Sequence, residues 1–390
     1  MEKWFDFKGR GTNASTEVIA GITTFITMVY IAIVNPAILS KTGMDFNGVF
    51  VATILATMIG TLIMGVFSNY PIAIAPGMGL NSFFAFAVVL ALGITWQKAL
   101  GAVFIASLIF LVLSFTKFRN VLINSIPESL KHSITAGIGL FIAFIGLQGS
   151  KIIVDSPATL VTFGHASDPV VLLTIFNLFV TVVLMMFNVR GNIFIGMVIT
   201  AIIALFNGMI TLPPSLFVWP TGLEHTAMQM DIKGVFDDNL YAIIFTFFLI
   251  TLFDTTGTMI GIAEQAGLIK DGKFPRIKSA LLADAVGSTA GAMLGTSPTS
   301  AYIESGAGVA VGGRTGFSSV VVALLFGLLL FCAPLAQMLA SIPAITAPAL
   351  IIVGFLMMSS LRNIDWNDFE ESFPAFLIVF LMPLSYSIAI

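Results

Sequence analysis

The chain has 390 residues, of which 57% are hydrophobic and only 9% are charged, and its mean hydropathy is +1.03. A soluble domain carries roughly 25% charged residues, so this composition excludes a water-soluble globular protein and places the apolar surface in a lipid bilayer. The formal net charge of −3 at pH 7 identifies no partner, and no nucleic acid is expected.

The first 16 residues are polar and basic, and we predict that they form a cytoplasmic N-terminus. They do not resemble a cleavable signal peptide, because the apolar run after them is too long and lacks a small-residue cleavage site.

Apolar runs then predict thirteen helices along the chain. The predicted helices cover residues 17–39, 47–68, 78–92, 97–116, 132–149, 169–188, 191–210, 239–260, 278–295, 303–312, 316–334, 343–361 and 373–390. A membrane span needs roughly 20 mostly apolar residues, so 78–92 and 303–312 are too short to cross alone. Each follows a stretch rich in Pro and Gly or in small polar residues, at 70–79 and 295–300. We therefore expect the third and tenth segments to be discontinuous.

The basic residues between the spans predict the orientation. With the N-terminus inside, 13 of the 17 Lys and Arg residues lie on the inner side, and the four outer ones are Lys41, Lys98, Lys151 and Lys233. This asymmetry follows the positive-inside rule. It favours an inner (plasma) membrane protein with a cytoplasmic N-terminus and an extracellular connection over 211–238.

An internal repeat relates the two halves. Pro76 and Pro298 each precede a short segment, Pro127 and Pro343 each open a later span, and both pairs are separated by about 220 residues. Two halves of seven spans imply inversion, because seven is odd, and inverted repeats with broken helices are typical of secondary transporters. The alternative is that two apolar halves look alike by composition. The same spacing predicts 14 spans, with the C-terminal part of the repeat missing from the 390 residues.

Two acidic residues inside predicted spans are the strongest site candidates, because an intramembrane carboxylate is costly and usually functional. Asp254 lies near the middle of the eighth span, and Glu304 follows the second break. A carboxylate accepts charge-assisted hydrogen bonds from ring N–H groups, and burial in general raises a carboxylate pKa towards neutrality. Both acids are therefore candidates for substrate binding and proton coupling. Asp254 could instead bond a neighbouring helix, and Glu304 could be a first-turn helix charge.

Three further polar residues are considered beside them. Asn81 occupies the matching position in the first half, where its amide could contact a heterocycle or cap the half-helix. Asp284, in the ninth span, is expected to make an interhelical hydrogen bond. Glu17 is expected at a membrane boundary within reach of water.

The sequence offers little from which an enzyme site could be built. Cys332 is the single cysteine and lies in an apolar run, and His132, His165 and His225 lie in predicted connections. No metal site, no cofactor and no enzymatic activity are predicted. An intramembrane enzyme remains a less favoured alternative.

Several motifs, in order along nearly the whole chain, resemble the adenine–guanine–hypoxanthine permeases. These form the AzgA-like branch of the nucleobase/cation symporter-2 (xanthine/uracil permease) family. The matching stretches are residues 7–13, 31–36, 75–81, 253–258 and 295–306. The resemblance implies an all-α, uracil-permease-like 7+7 inverted repeat, with short strands at the two breaks. It also implies a core (transport) domain over 17–116 and 239–335, and a gate domain over 117–210 and 336–390.

The resemblance also implies a function and a site. It implies import of purine bases by proton symport and alternating access, with a possible homodimer formed through the gate domain. The implied substrate-binding residues are Asn81, Asp254, Thr258, Ser300, Tyr302 and Glu304. The uracil branch has histidine at the position of Thr258, which leaves a side-chain role for this threonine open. An anion carrier of the same fold is the main alternative, although two carboxylates would repel its substrate.

Overall fold

The computed structural model describes residues 2–116, 127–269 and 274–385. In these residues the regular secondary structure is helical apart from two two-stranded sheets. The helices before residue 210 are α1 (Glu2–Phe5), α2 (Ala14–Met28), α3 (Ile31–Leu39), α4 (Phe46–Ile63), α5 (Met78–Ser82), α6 (Trp96–Ser114), α7 (Glu128–Gly149), α8 (Pro169–Met186) and α9 (Asn192–Phe206). Those after it are α10 (Ile232–Asp237), α11 (Tyr241–Gln265), α12 (Ile277–Leu294), α13 (Ser305–Ala310), α14 (Gly316–Leu329), α15 (Ala333–Ala340), α16 (Pro343–Met357) and α17 (Phe369–Ser385). The strands are β1 (Ile74–Pro76), β2 (Ile153–Ser156), β3 (Leu160–Phe163) and β4 (Thr299–Ala301).

These helices confirm the predicted polytopic membrane protein. In the described residues, eight helical stretches are long and apolar enough to cross a membrane, and Met78–Ala91 and Asn192–Phe206 are shorter apolar helices. Helix is present at each of the thirteen predicted segments. The predicted end of the last span at residue 390, and Lys117, Arg119, Lys270 and Lys273, lie outside the described residues.

The two predicted breaks meet in a small buried sheet. Strand β1 pairs antiparallel with β4, with Ala75 opposite Ser300 and Pro76 opposite Thr299. The Gly77 N–H donates to the Pro298 carbonyl at 3.0 Å and extends the pairing by one bond. A proline in a strand removes one N–H donor, so both segments pair only briefly before the short helices α5 and α13 begin. The predicted discontinuous third and tenth segments, with short strands, are confirmed.

One predicted connection contains structure that the sequence pattern did not indicate. Residues 150–168 were expected to form a loop, but β2 and β3 form a hairpin with Ile153 opposite Phe163 and Ser156 opposite Leu160. β-branched and aromatic residues in both strands favour extended backbone. The hairpin is short, with exposed apolar side chains at Leu160 and Phe163, so hydropathy did not distinguish it from a loop.

The chain divides into two compact units. The first contains Met1–Ile123 and Val218–Ala333, and the second contains Asn124–Phe217 and Pro334–Ile390. In the second unit, Asn177 of α8 donates its side-chain amide to the Ala344 carbonyl of α16 at 3.1 Å. The roles of transport domain and gate domain stay predictions.

At one end of the first unit, the N-terminal segment is bonded to two later parts of the chain. The Arg10 guanidinium donates to the carbonyls of Asn69 and Arg314 at 2.7 and 2.9 Å. The Asn69 side chain in turn donates to the Phe5 carbonyl at 3.0 Å and accepts from the Gly316 N–H at 2.7 Å. We call residues 4–17 the N-terminal clamp, because they tie the end of the second span to the start of α14.

The expectation that Glu17 lies within reach of water is wrong. Its side chain is fully buried and does not reach water. One carboxylate oxygen accepts from the backbone N–H groups of Arg314 and Thr315 at 2.8 and 3.1 Å. The first N–H groups of a helix lack intrahelical partners, and a carboxylate is stabilised there. The start of α14 therefore holds Glu17 inside the protein.

Candidate functional site

Asp254 and Ser300 meet where α11 passes the strand β4. Asp254 lies near the middle of the 25-residue helix α11, and its carboxylate is partly exposed. Ser300, at the centre of β4, is buried, and its side chain lies close enough to interact with the Asp254 carboxylate. The pairing of Ser300 with Ala75 holds the backbone of this serine beside α11.

Glu304 lies at the N-terminal cap position of the six-residue helix α13. Its carboxylate is partly exposed, and its Oε1 atom accepts a hydrogen bond from the Tyr30 hydroxyl at 2.5 Å. Tyr30 lies between α2 and α3, where Val29 and Tyr30 keep right-handed helical backbone angles, so the predicted first span is one helical stretch over Ala14–Thr42.

Tyr302, two residues before Glu304, is buried against the first break. Its hydroxyl donates to the Pro76 carbonyl at 2.6 Å, and its N–H donates to the Ala73 carbonyl at 3.0 Å. Asp254 and Glu304 lie within electrostatic range of this hydroxyl and of each other. The first unit therefore brings Asp254, Ser300, Tyr302 and Glu304 together.

Asp284 supports this group from behind. It is fully buried in α12 and accepts hydrogen bonds from Thr255 of α11 at 2.6 Å and Thr299 of β4 at 2.8 Å. The expected interhelical bond is confirmed. Because Thr255 follows Asp254 and Thr299 precedes Ser300, Asp284 fixes the two elements that carry the site.

Asn81 and Thr258 have different surroundings. Asn81 is fully buried and donates to Asn35 at 3.0 Å, and Asn35 donates to Thr53 and Thr296 at 2.7 and 2.8 Å. Asn81 therefore belongs to an amide network that joins the first, second and third segments to the second break. Thr258 lies one turn after Asp254 and is partly exposed. Substrate contact by either residue stays a prediction.

Sequence reasoning did not identify Tyr30, Asn35, Thr255 or Thr299 as parts of this arrangement. Asn35 and Thr255 lie inside the quoted motifs, but nothing assigned them a partner. Tyr30 directly precedes the motif at residues 31–36. A tyrosine a few residues before the proline of a predicted span was the one sequence feature that could have indicated its role. Its partner is 274 residues away along the chain.

A family comparison agrees with this architecture. The model of the Permease family Xan_ur_permease matches residues 15–390. The chain belongs to this permease family. The predicted resemblance to purine permeases is confirmed by two curated relatives. Guanine/hypoxanthine permease PbuO of Bacillus subtilis is 52% identical over 390 residues, covering 99% of this permease and 90% of the relative. Adenine permease AdeP of Escherichia coli is 46% identical over 395 residues, covering 100% and 87%.

Solved structures support the fold of the permease. The transmembrane domain of the cyanobacterial bicarbonate transporter BicA superimposes with a TM-score of 0.69 and covers 97% of each chain, at 14% identity. Such low identity shows the fold alone. The predicted 7+7 inverted repeat is confirmed at this level.

The site of the permease is suited to binding a small polar ring. Asp254 and Glu304 are half-buried residues whose carboxylates are hydrogen-bond acceptors, and Ser300 and Tyr302 are buried hydroxyl residues of the same break. Charge-assisted bonds to carboxylates are roughly twice as strong as neutral ones. In the described residues, no group of three or more His, Cys, Asp or Glu side chains could hold a metal ion.

Proposed function

We propose that this permease imports purine nucleobases across the plasma membrane by proton symport, with its N-terminus in the cytoplasm. The observation that carries the proposal is the convergence of Asp254 and Glu304 at the paired strands β1 and β4. The two acids lie on different elements, Asp254 on α11 and Glu304 after the second break, and the fold brings these elements to one place. The names of the relatives, guanine/hypoxanthine and adenine permeases, support the purine class.

A purine presents N–H donors and ring acceptors along its edges. Asp254 and Glu304 accept from the N–H groups, and Ser300, Tyr302, Thr258 and Asn81 are the further proposed contacts. A carboxylate that is protonated loses acceptor strength, so taking up a proton and holding a base are linked at the same group. This linkage is the proposed basis of symport.

The proposed cycle is alternating access. The transport domain, residues 17–116 and 239–335, carries the base, and the gate domain, 117–210 and 336–390, provides the contact of a homodimer. Inverted repeats with broken helices and a midplane site are typical of such carriers.

An anion carrier of the same fold is less well supported. Two carboxylates that repel each other would also repel an anion such as bicarbonate. The likeness to BicA, at 14% identity, shows the fold and does not indicate the substrate.

The test is uptake of radiolabelled hypoxanthine by cells lacking their own purine permeases. We expect uptake to increase when the external pH is lowered and to collapse when a protonophore is added. Unlabelled guanine, adenine and xanthine compete in the same assay and rank the purines. Uptake that ignores the protonophore but requires sodium would reject proton coupling and leave purine transport standing.

Glu304→Gln is the decisive variant. The glutamine cannot exchange a proton, and its NH₂ group opposes a substrate N–H, so we expect uptake to fall to background while the protein still reaches the membrane. Glu264→Gln is the matched control, since Glu264 is an exposed acid near the end of α11, and we expect it to transport normally. Normal uptake by Glu304→Gln would remove Glu304 from the mechanism.

A further inference from the structure

Tyr30 engages one oxygen of Glu304 in a fixed geometry. The phenol is fully buried, and its hydroxyl donates to Glu304 Oε1 at 2.5 Å. The backbone at Tyr30 is held as well, because its carbonyl accepts from the N–H groups of Ile33 and Val34 at 3.0 and 2.9 Å. The nearby Thr27 hydroxyl reaches the Glu304 carbonyl at 3.4 Å. The first span therefore contacts both the side chain and the backbone carbonyl of Glu304.

The chemistry of this contact bears on substrate choice. A free carboxylate can accept two parallel N–H donors, one on each oxygen. Guanine presents such a pair, the ring N1–H beside the exocyclic 2-amino group, whereas hypoxanthine presents N1–H alone on that edge. Oε1 already accepts a short bond from the Tyr30 hydroxyl. It keeps a second lone pair, but an oxygen that already accepts one donor holds a further donor more weakly, so the second donor of guanine gains little.

We propose that Tyr30 is a specificity-determining residue that limits Glu304 to one strong bond with a substrate N–H and so lets the site accept purines with and without a 2-amino group. This inference rests on the proposed purine transport and adds a residue that sets the range of bases. Tyr30 acts by positioning Glu304 and by occupying it.

The wild-type protein gives the first test, which needs no variant. Inhibition constants are measured by competition against labelled hypoxanthine uptake. We expect guanine and hypoxanthine to bind within about threefold of each other, because both use one N–H at Glu304. We expect 1-methylhypoxanthine, which lacks that N–H, to bind at least about tenfold more weakly. Guanine binding more than about tenfold tighter than hypoxanthine would overturn the inference.

The variant Tyr30→Phe gives the second test. It frees Oε1, so we expect the affinity for guanine relative to hypoxanthine to rise about tenfold, the effect of one added hydrogen bond to a charged group. Tyr70→Phe is the control, because the Tyr70 hydroxyl donates to the Pro275 carbonyl outside the site, and its ratio should not change.

The outcomes separate the two claims. If Tyr30→Phe weakens guanine and hypoxanthine by the same factor, Tyr30 is merely structural and the inference is wrong, while purine transport stands. If the wild type binds no purine, the proposed function and this inference fail together. If the variant does not reach the membrane, the wild-type affinities for guanine and hypoxanthine still decide, because a difference of more than about tenfold in favour of guanine overturns the inference.

Discussion

At the scale of single residues, Asp284 shows how a carboxylate can serve a site that it does not face. It accepts from Thr255 and Thr299, the neighbours of Asp254 and Ser300 in the chain. In Asp284→Asn, the side chain keeps one acceptor oxygen, and an NH₂ donor replaces the other. One charge-assisted hydrogen bond is lost, so the free energy of unfolding should fall by about 2 kcal/mol. We expect a lower melting temperature in detergent and a higher half-saturation concentration for hypoxanthine uptake.

Thr289→Val on the same helix is the matched control for Asp284→Asn. The Thr289 hydroxyl bonds the Ala285 carbonyl of its own helix at 2.7 Å, so its loss should change neither quantity appreciably. If both variants behave alike, the effect belongs to α12 as a helix and not to the bridge between α11 and β4.

The same scale shows which site residues a sequence can reveal. Asp254 and Glu304 were predictable, because a charge in an apolar run has few structural explanations. Tyr30 and Thr299 were not, because a tyrosine in a predicted span or a threonine in a break is ordinary. Their importance comes from partners that only the folded chain brings near, such as Tyr30 and Glu304.

At the scale of elements, the N-terminal clamp joins three separate parts of the first unit. Arg10 makes two charge-assisted hydrogen bonds to carbonyls from its part-buried position, and such bonds are worth about 1.5–3 kcal/mol each. Arg10→Ala should therefore lower the melting temperature of the purified protein by several degrees. Lys8→Ala removes a cation from the same segment, but its ion pair with Glu2 is exposed, and exposed pairs contribute little.

Equal melting temperatures for Arg10→Ala and Lys8→Ala would show that the clamp does not stabilise the unit.

The clamp also illustrates what the sequence patterns of single elements leave out. Apolar length and the Pro/Gly breaks predicted the spans and the strands β1 and β4, because these depend on local composition. The burial of Glu17 depends on the start of a helix that is distant in the chain, and the hairpin β2–β3 depends on strand pairing. A local sequence pattern indicates neither.

At the scale of the whole molecule, the positive-inside count assigns a side of the membrane to each connection, and this assignment can be tested chemically. Cys332 is the single cysteine of the chain, so Cys332→Ser gives a cysteine-free background. Exposed Lys233 and Lys278 flank α11, which is long and apolar enough to cross a membrane. In intact cells, a membrane-impermeant thiol reagent should label Lys233→Cys and should label Lys278→Cys only after permeabilisation.

Each pattern of labelling has a distinct meaning for the fold. The reverse pattern would place the N-terminus outside and invert the whole molecule. Labelling of both positions from one side would mean that α11 does not cross, and Asp254, near its middle, would then lie outside the membrane interior. The expected pattern requires α11 to carry Asp254 into the bilayer, where an unpaired carboxylate is costly and where a ligand N–H, a proton or the Ser300 hydroxyl offsets that cost. The orientation of the molecule and the chemistry proposed for its site therefore stand on the same crossing.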